Sequence, residues 1–399
     1  MKVNCGAPSL LASAWRLCLV VVCWFASVPA LAVTLDLETT PVGDVFPALE
    51  LSQSVDRTRK PDEGSGLLRV HIGDVRMPHD IRLTLSTQGL RQPTVMNMRI
   101  SADTLLRPRL DWDATVLLGL KQAREQIVLV RLEGRGMKTV ERQFKLRVHP
   151  LDEALYFVRE GDARIDLGWA FAAWVDPADP VIDDLLALAN IDAAKVNAHA
   201  LDRDGRLSLV RSLWVALEQR GLRYADEGAG VSQGPVIYSQ RVRLLSSTWN
   251  ERVANCLDGS VLIASALERL GIGSLLVLVP GHAFVGFYTD NDRHEAEFLE
   301  TTLLGFSKAP SGGEESAARV RQRAMLGFIA ARRAGRERYQ LALPKLDGRH
   351  RPDYALIDIS TARAYGIMPL AVGRAGNRVG APVASSASAI QGSSASRTP

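Results

Sequence analysis

The chain has 399 residues and a formal net charge of +4, and 47% of its residues are hydrophobic and 23% charged. This composition is typical of globular proteins, and the length allows about two domains of roughly 100 to 200 residues each. The Lys and Arg residues are spread along the chain with no stripe interleaved with aromatic residues. Nothing in the composition therefore points to nucleic acid as a partner.

The first 32 residues have the pattern of a cleaved secretory signal. Lys2 and Arg16 precede an apolar run at 17–28 in which Ser27 is the one polar residue, and a small-x-small triplet follows at 30–32. The run is too short to span a bilayer as a permanent anchor. We therefore expect cleavage at the end of the triplet and a periplasmic or secreted protein with no stable membrane anchor.

This cleavage changes the cysteine content of the protein. It removes Cys5, Cys18 and Cys23 and leaves Cys256 as the single cysteine. An intramolecular disulfide is then impossible, although the expected compartment would permit one.

Residues 33–150 contain several short runs in which apolar and polar residues alternate, as in strands with one buried face. Gly, Pro and Asp separate the runs, which are LLRVHI (67–72), IRLTLS (81–86), TVMNMRI (94–100), EQIVLVRL (125–132) and RQFKLRV (142–148). We expect an all-β, immunoglobulin-like sandwich. This half shows no nucleophile, metal cluster or phosphate loop, so its expected role is that of a spacer or adhesion module.

Beyond Pro150 the apolar period changes to that of helices. Asp179 and Pro180 suit the N-cap and first position of one helix, and Gly221 suits the end of another. The stretches after Cys256 that we expect to form strands are LLVLVPGHAFVGFY (275–288), EAEFLETTLLG (295–305) and the start of RPDYALIDISTARAYGIMPL (351–370). This order predicts an α+β domain over 151–371, followed by a disordered tail over 372–399.

Cys256 directly precedes an apolar helical pattern. Leu262, Ala266 and Leu270 share one face of this helix, and Gly271 suits its end. The N-terminus of a helix has unpaired N–H groups and a partial positive charge, which favour a thiolate over a thiol. The same N–H groups could bind a developing oxyanion, so Cys256 is a candidate nucleophile.

A cysteine nucleophile needs a base and a group that orients the base. His282 opens one expected strand, and Glu300 lies in the next, beyond the polar turn TDNDRHE (289–295). If the two strands pair antiparallel, Glu300 lies opposite or diagonal to His282. Cys256, His282 and Glu300 could then form a catalytic triad.

The order of a cysteine at a helix start, a histidine on a strand and an acid on the next strand resembles the transglutaminase-like superfamily. The stretches that carry the resemblance are NCLD (255–258), GHAF (281–284) and LETT (299–302), with LWVALEQRGLRY (213–224) and QRVR (240–243) similar to bacterial secreted members. The resemblance implies a circularly permuted papain-like core. It also implies that Cys256 is the nucleophile, His282 the general base and acid, and Glu300 the orienting acid.

Two positions depart from the superfamily pattern. Its third catalytic residue is usually Asp, whereas this chain has Glu300, and its usual Arg-Gly-x-Cys lead-in is replaced by RVANC (252–256). For the side chain that stabilises the oxyanion, Gln240 and Trp249 both have suitable donors, and Gln240 is the favoured candidate.

The sequence thus predicts a thiol enzyme that acts on amide or ester bonds of peptides or proteins in the cell envelope through a thioester. Hydrolysis is favoured over amine transfer, because no stretch indicates a site that excludes water and positions an amine. The alternative is a catalytically inactive transglutaminase-like binding or assembly module. We expect no cofactor and no metal, since no close pair of Cys or His residues could anchor zinc beside Cys256, His282 and Glu300.

Overall fold

The computed structural model describes most of the chain beyond the expected cleavage site. The described residues are 33–54, 66–226, 236–305, 316–370 and Val372. The predicted secretion signal (1–32) and all but the first residue of the predicted tail (372–399) lie outside them. Within the described residues, no helix is both long enough and apolar enough to cross a membrane.

Residues 33–148 form two β-sheets. The strands are β1 (Thr34–Glu38), β2 (Asp44–Val45), β3 (Arg69–Gly73), β4 (His79–Ser86), β5 (Thr94–Ile100), β6 (Thr104–Leu106), β7 (Arg124–Gly134) and β8 (Val140–Val148). One sheet has the order β1-β3-β6 and the other the order β2-β8-β7-β4-β5. Neighbouring strands are antiparallel except β2 and β8. Two short helices are α1 (Pro47–Ser52) and α2 (Ala114–Leu118).

Four of the five alternating runs lie within these strands, and LLRVHI (67–72) overlaps β3 from Arg69 onward, which confirms the strand prediction for this half. In β4, Ile81, Leu83 and Leu85 are buried, while the residues between them are more exposed. Leu83 and Leu85 pair with Leu132 and Val130 of β7, which are also buried. The apolar faces therefore meet in a common core, as expected when side chains alternate across a pleated strand.

Residues 151–370 mix helices and strands, so the protein is α+β as predicted. The strands are β9 (Glu153–Glu160), β10 (Ala163–Asp166), β11 (Arg223–Tyr224), β12 (Ile237–Arg241), β13 (Val253–Ala254), β14 (Ser274–Val279), β15 (His282–Tyr288), β16 (Ala296–Leu299) and β17 (Ala355–Asp358). The helices are α3 (Pro180–Leu188), α4 (Arg203–Arg220), α5 (Leu245–Glu251), α6 (Cys256–Arg269), α7 (Ala317–Ala342) and α8 (Ile359–Ala364). The main sheet has the order β16-β15-β14-β17 and is antiparallel, while β9 lies between β10 and β12 and β11 pairs with β13.

The predicted helix ends in this half are confirmed. The Asp179 side chain accepts a hydrogen bond from Val181 N–H at the start of α3, with Pro180 at the first helical position. Gly221 ends α4 in the left-handed conformation at φ +80°, which costs glycine little because it has no Cβ.

Helix α6 forms the centre of the second half. Every residue from Leu257 to Leu267 is buried, and the helix packs against β14 and β15. Gly271 follows its end with φ +76°, as the sequence predicted. Cys256 is the first residue of this helix, so its side chain stands where the buried helix reaches the surface.

The strand prediction for 295–305 is partly wrong. Strand β16 ends at Leu299, and Thr301–Leu303 form a 3-10 turn with Glu300 as the N-cap residue. The Glu300 carboxylate accepts hydrogen bonds from the backbone N–H and the hydroxyl of Thr302, at 3.1 and 2.7 Å. These local bonds stabilise the turn in place of a further strand ladder.

Helix α7 was not predicted from the sequence. Its buried positions, Ala324, Phe328, Ala331, Gly335 and Ala342, are mostly small, so its apolar face is weak in a hydrophobicity pattern. The segment is rich in Ala and Arg, which are strong helix formers, and this composition was the signal that could have revealed it. The helix packs against β16 and α4.

The two halves are joined by continuous packing around Pro150. Val148 and Leu151 belong to the same cluster of buried apolar side chains. Between them, the buried His149 places Nε2 2.7 Å from Asp44 Oδ1 and Nδ1 2.9 Å from Glu153 Oε2. The change from β to mixed α and β structure therefore occurs within one core, and a domain boundary at Pro150 stays a prediction.

Candidate active site

The start of α6 has a reciprocal pair of side-chain caps. Asn255 Oδ1 accepts hydrogen bonds from the N–H groups of Leu257 and Asp258, at 2.9 and 2.8 Å. Asp258 Oδ2 in turn accepts the N–H of Asn255 at 3.0 Å. This capping box fixes where the helix begins and thus places Cys256 at its first position.

The capping box corrects one prediction about the oxyanion. Two of the N–H groups expected to bind it, those of Leu257 and Asp258, are already bonded to Asn255. For the N–H of Cys256 itself, no acceptor is found among the described residues. This single amide is therefore the first-turn donor that remains for a negatively charged oxygen next to the thiol.

Asp258 is a structural residue of the helix start. It is 1% exposed, and it accepts hydrogen bonds from the backbone N–H and the Nη1 of Arg243, at 2.8 and 2.9 Å. Burial raises the pKa of the Asp258 carboxyl, and the hydrogen bonds from Asn255 and Arg243 only partly oppose this shift. Asp258 thus belongs to the helix start, where its carboxylate joins Asn255 to Arg243.

The structure brings His282 and Glu300 together. β15 and β16 pair antiparallel with Val285 opposite Leu299, so Glu300 follows the last pair and lies diagonal to His282. His282 Nε2 is 2.7 Å from Glu300 Oε2, and the Glu300 side chain is buried. The predicted pairing of these two side chains is confirmed, whereas their catalytic role stays a prediction.

The thiol of Cys256 completes the chain of contacts. Burial disfavours the charged imidazole, but hydrogen bonds to Cys256 and Glu300 and the negative charges of both groups outweigh it and raise the pKa of His282 to about 9. Burial likewise opposes ionisation of Glu300, yet His282 and Thr302 hold the pKa of its carboxyl below the usual value. At neutral pH the site therefore favours an imidazolium beside the Glu300 carboxylate.

Two hydroxyl groups tie the nucleophile to the acid. The carbonyl oxygen of Cys256 accepts hydrogen bonds from Ser260 Oγ at 2.6 Å and Thr301 Oγ1 at 2.9 Å. Thr301 directly follows Glu300, so the turn that carries the acid is anchored to the first turn of α6. This bond keeps the separation between Cys256 and Glu300 constant.

The structure adds two residues that the sequence interpretation missed. Arg338 of α7 places Nε 2.7 Å from Glu300 Oε2. Tyr224 lies beside the helix start: its N–H donates to Leu304, and it pairs with Ala254 across β11 and β13. Burial and the negative charges of Asp226, Cys256 and Glu300 raise the pKa of the Tyr224 hydroxyl.

Arg338 could not be found from the sequence once α7 had been missed. Tyr224 could have been found from the sequence, because it is the last residue of the stretch LWVALEQRGLRY, which carries part of the superfamily resemblance.

Gln240, the favoured oxyanion side chain, is bonded locally. Its Nε2 donates to the carbonyl oxygen of Arg241 at 3.2 Å, and its backbone pairs with Ala154 in the sheet of β9 and β12. Among the described residues, no hydrogen bond joins Gln240 to Cys256, His282 or Glu300.

Scans of the sequence against protein-family models and against curated proteins returned no match. The chemical interpretation of the site therefore rests on its geometry and on the resemblance of its motifs.

Proposed function

We propose that this protein is a transglutaminase-like thiol enzyme that acts on amide or ester bonds of peptides or proteins. Cys256 is the nucleophile, His282 the general base and acid, and Glu300 the acid that orients the imidazole. The observation that carries the proposal is the 2.7 Å contact between His282 Nε2 and Glu300 Oε2, beside the helix start that carries Cys256. A nucleophile, a base and an orienting acid in this order make a triad.

The assigned groups suffice for acyl transfer to a thiol. The thiolate of Cys256 adds to the carbonyl carbon, and the carbonyl oxygen takes the negative charge beside the N–H of Cys256. Because Glu300 binds Nε2, the Nδ1 of His282 holds the proton that passes to the leaving amine or alcohol as its bond to carbon breaks. The product of this step is a thioester on Cys256.

Water completes the reaction. His282, now neutral, takes a proton from water through Nδ1 while the water oxygen bonds to the thioester carbon. The C–S bond then breaks, the carboxylic acid leaves, and the thiolate and imidazolium are restored. Hydrolysis is the assigned outcome, since no feature of the described residues positions an amine in place of this water.

The wider assignments rest on the arrangement of the elements. A cysteine at the start of a buried helix, a histidine opening the next-but-one strand and an acid at the end of the following strand support a transglutaminase-like, papain-related fold for the second half. The two β-sheets of the first half support an immunoglobulin-like sandwich. Together with the secretion pattern at 1–32, these features support action on peptides or proteins of the cell envelope, in the periplasm or outside the cell.

The test is the mass of the intact protein after incubation with peptide pools and quenching in acid. We expect an acyl adduct on Cys256 that is absent from Cys256→Ala. The mass of the adduct would also identify the acyl donor. If no adduct forms and Cys256 also resists alkylation in the native protein, the fold serves as a non-catalytic binding or assembly module.

A further inference from the structure

Glu300 Oε2 is shared by two cationic partners. His282 Nε2 and Arg338 Nε each lie 2.7 Å from this one oxygen. The Glu300 side chain is 2% exposed, whereas the Arg338 side chain is 49% exposed. The guanidinium therefore covers the buried acid from the solvent side, while the imidazole reaches it from inside the site.

Helix α7 is docked closely enough to hold Arg338 in this place. The N–H of Glu300 donates to the carbonyl oxygen of Ala331 on α7 at 3.0 Å. One turn further along, a Cβ at Gly335 would lie 2.6 Å from the carbonyl carbon of Phe298, so only glycine allows this approach. Backbone contacts thus fix α7 against the end of β16, and Arg338 follows Gly335 by less than one turn.

The neighbouring cations of α7 have another partner. Glu297 is buried, and three guanidinium groups contact it: those of Arg203, Arg332 and Arg336. Because these three arginines pair with Glu297, Arg338 is the arginine of the described residues that pairs with Glu300.

We propose that Arg338 is a positioning residue that acts on His282 through Glu300, whose negative charge it shares with the imidazolium. The inference rests on the triad proposed above. The guanidinium and the imidazolium are two cations on one anion, so each repels the other. Arg338 therefore limits how strongly Glu300 stabilises the charged base.

The expected consequence is measurable at His282. The charged and titratable groups around the acid are Cys256 of α6, His282 of β15, Tyr224 of β11 and Arg338 of α7. When the Arg338 charge is removed, His282 is the remaining cationic partner of Glu300 among the described residues. The imidazolium should then persist to higher pH.

The experiment is a nitrogen-15 NMR titration of His282 in the full-length protein, which needs no substrate. In Arg338→Gln, the titration midpoint should rise by about 0.5 pH unit or more above that of the wild type. Arg338→Lys keeps a cation and should restore the midpoint toward the wild-type value. Arg333→Gln is the matched control, since Arg333 lies on the same helix, is 82% exposed and pairs with Glu337 alone among the described residues.

The outcomes separate this inference from the proposed function. A wild-type His282 that titrates near its ordinary value of about 6.5 contradicts the charge-paired triad itself. A raised wild-type midpoint that Arg338→Gln leaves unchanged contradicts the role of Arg338 alone. If Arg338→Gln does not fold, Arg338→Met removes the same charge and replaces the methylene stem of arginine with an apolar side chain. The same criteria then apply.

Discussion

Cys256 is the first residue of α6, and Cys256 and Glu300 both act on the pKa of His282. A helix N-terminus and a neighbouring imidazolium both increase the reactivity of a thiol. We expect iodoacetamide to alkylate Cys256 rapidly near pH 6, where a free cysteine with a pKa of about 8.5 is almost fully protonated. His282→Ala removes the imidazolium, so the rate at pH 6 should fall about tenfold or more while the fold is kept. A native Cys256 that reacts only after denaturation would overturn the catalytic proposal.

The role of Glu300 can be tested by replacing one oxygen of its carboxylate with the amide nitrogen of glutamine. Glu300→Gln keeps the size of the side chain but cannot stabilise the imidazolium, and it favours the wrong tautomer of His282. Turnover of the substrate identified through the acyl adduct should fall, on the order of tens to thousands of times. Full activity in this variant would remove Glu300 from the triad.

The control for Glu300→Gln must be chosen from the structure. Glu297, on the strand that precedes Glu300, is unsuitable because it is buried among three arginines. Glu295→Gln is suitable, since this residue is exposed and lies just before β16. It should leave both turnover and circular dichroism unchanged.

Among the secondary-structure elements, α7 positions the acid through close backbone packing. Gly335→Ala would force the new methyl group against the backbone at Phe298 and Leu299. Overpacking of this kind costs about 1–3 kcal/mol, which exceeds the gain of about 1 kcal/mol in helix propensity. We expect a lower free energy of unfolding in urea and a slower alkylation of Cys256 at pH 6. A variant with unchanged or higher stability would show that α7 does not approach β16 so closely.

Prediction of the elements succeeded where the signal is local. Four kinds of feature depend on residues a few positions apart and are confirmed: the five predicted strands of the first half, the cap of α3, the cap of α4 and the start of α6. It failed for α7 and for the end of β16. The buried face of α7 is made of small residues, and the turn after Leu299 is stabilised by the side chain of Glu300 itself.

At the scale of the whole molecule, His149 holds the two halves together through Asp44 of β2 and Glu153 of β9. Burial disfavours the charged imidazole, but the two carboxylates outweigh it and raise the pKa of His149. Burial also opposes ionisation of both acids, yet His149 lowers the pKa of each, and Arg147 assists at Asp44. The three groups thus form a buried charged cluster.

The pH dependence of this cluster follows from the directions of these shifts. A raised histidine pKa contributes stability fully below the unfolded value of about 6.5 and loses it as pH rises through the folded value. The lowered carboxyl pKa values contribute above the unfolded values of about 4 and lose their contribution as pH falls. The cluster therefore stabilises the protein most between about pH 5 and pH 6.5.

His149→Gln tests this cluster. Its free energy of unfolding at pH 6 should fall by about 3 kcal/mol, because the half-buried Glu153 loses its ion pair and the buried Asp44 keeps only Arg147. The difference from the wild type should shrink as pH rises toward 9, as measured by urea unfolding at several pH values. His71→Gln is the control, since His71 is 44% exposed and pairs with an exposed Glu38. An equal loss at every pH would mean that His149 stabilises by packing on Phe46 alone.

The mixed α and β architecture and the pairing of His282 with Glu300 could be predicted from the sequence. Alternation, caps and a short hairpin turn act over a few residues, and the strand register then follows from the turn. The start of α6 at Cys256 was predictable for the same reason.

The surroundings of Cys256, His282 and Glu300 became known only from the tertiary structure. Arg338 reaches Glu300 because small residues let α7 approach β16, and Thr301 reaches the carbonyl of Cys256 because the turn after β16 folds back onto α6. Gln240 is bonded to Arg241, and Asn255 occupies two of the N–H groups expected to bind the oxyanion. Such contacts depend on packing between elements and on competition among donors and acceptors, which no local sequence pattern records.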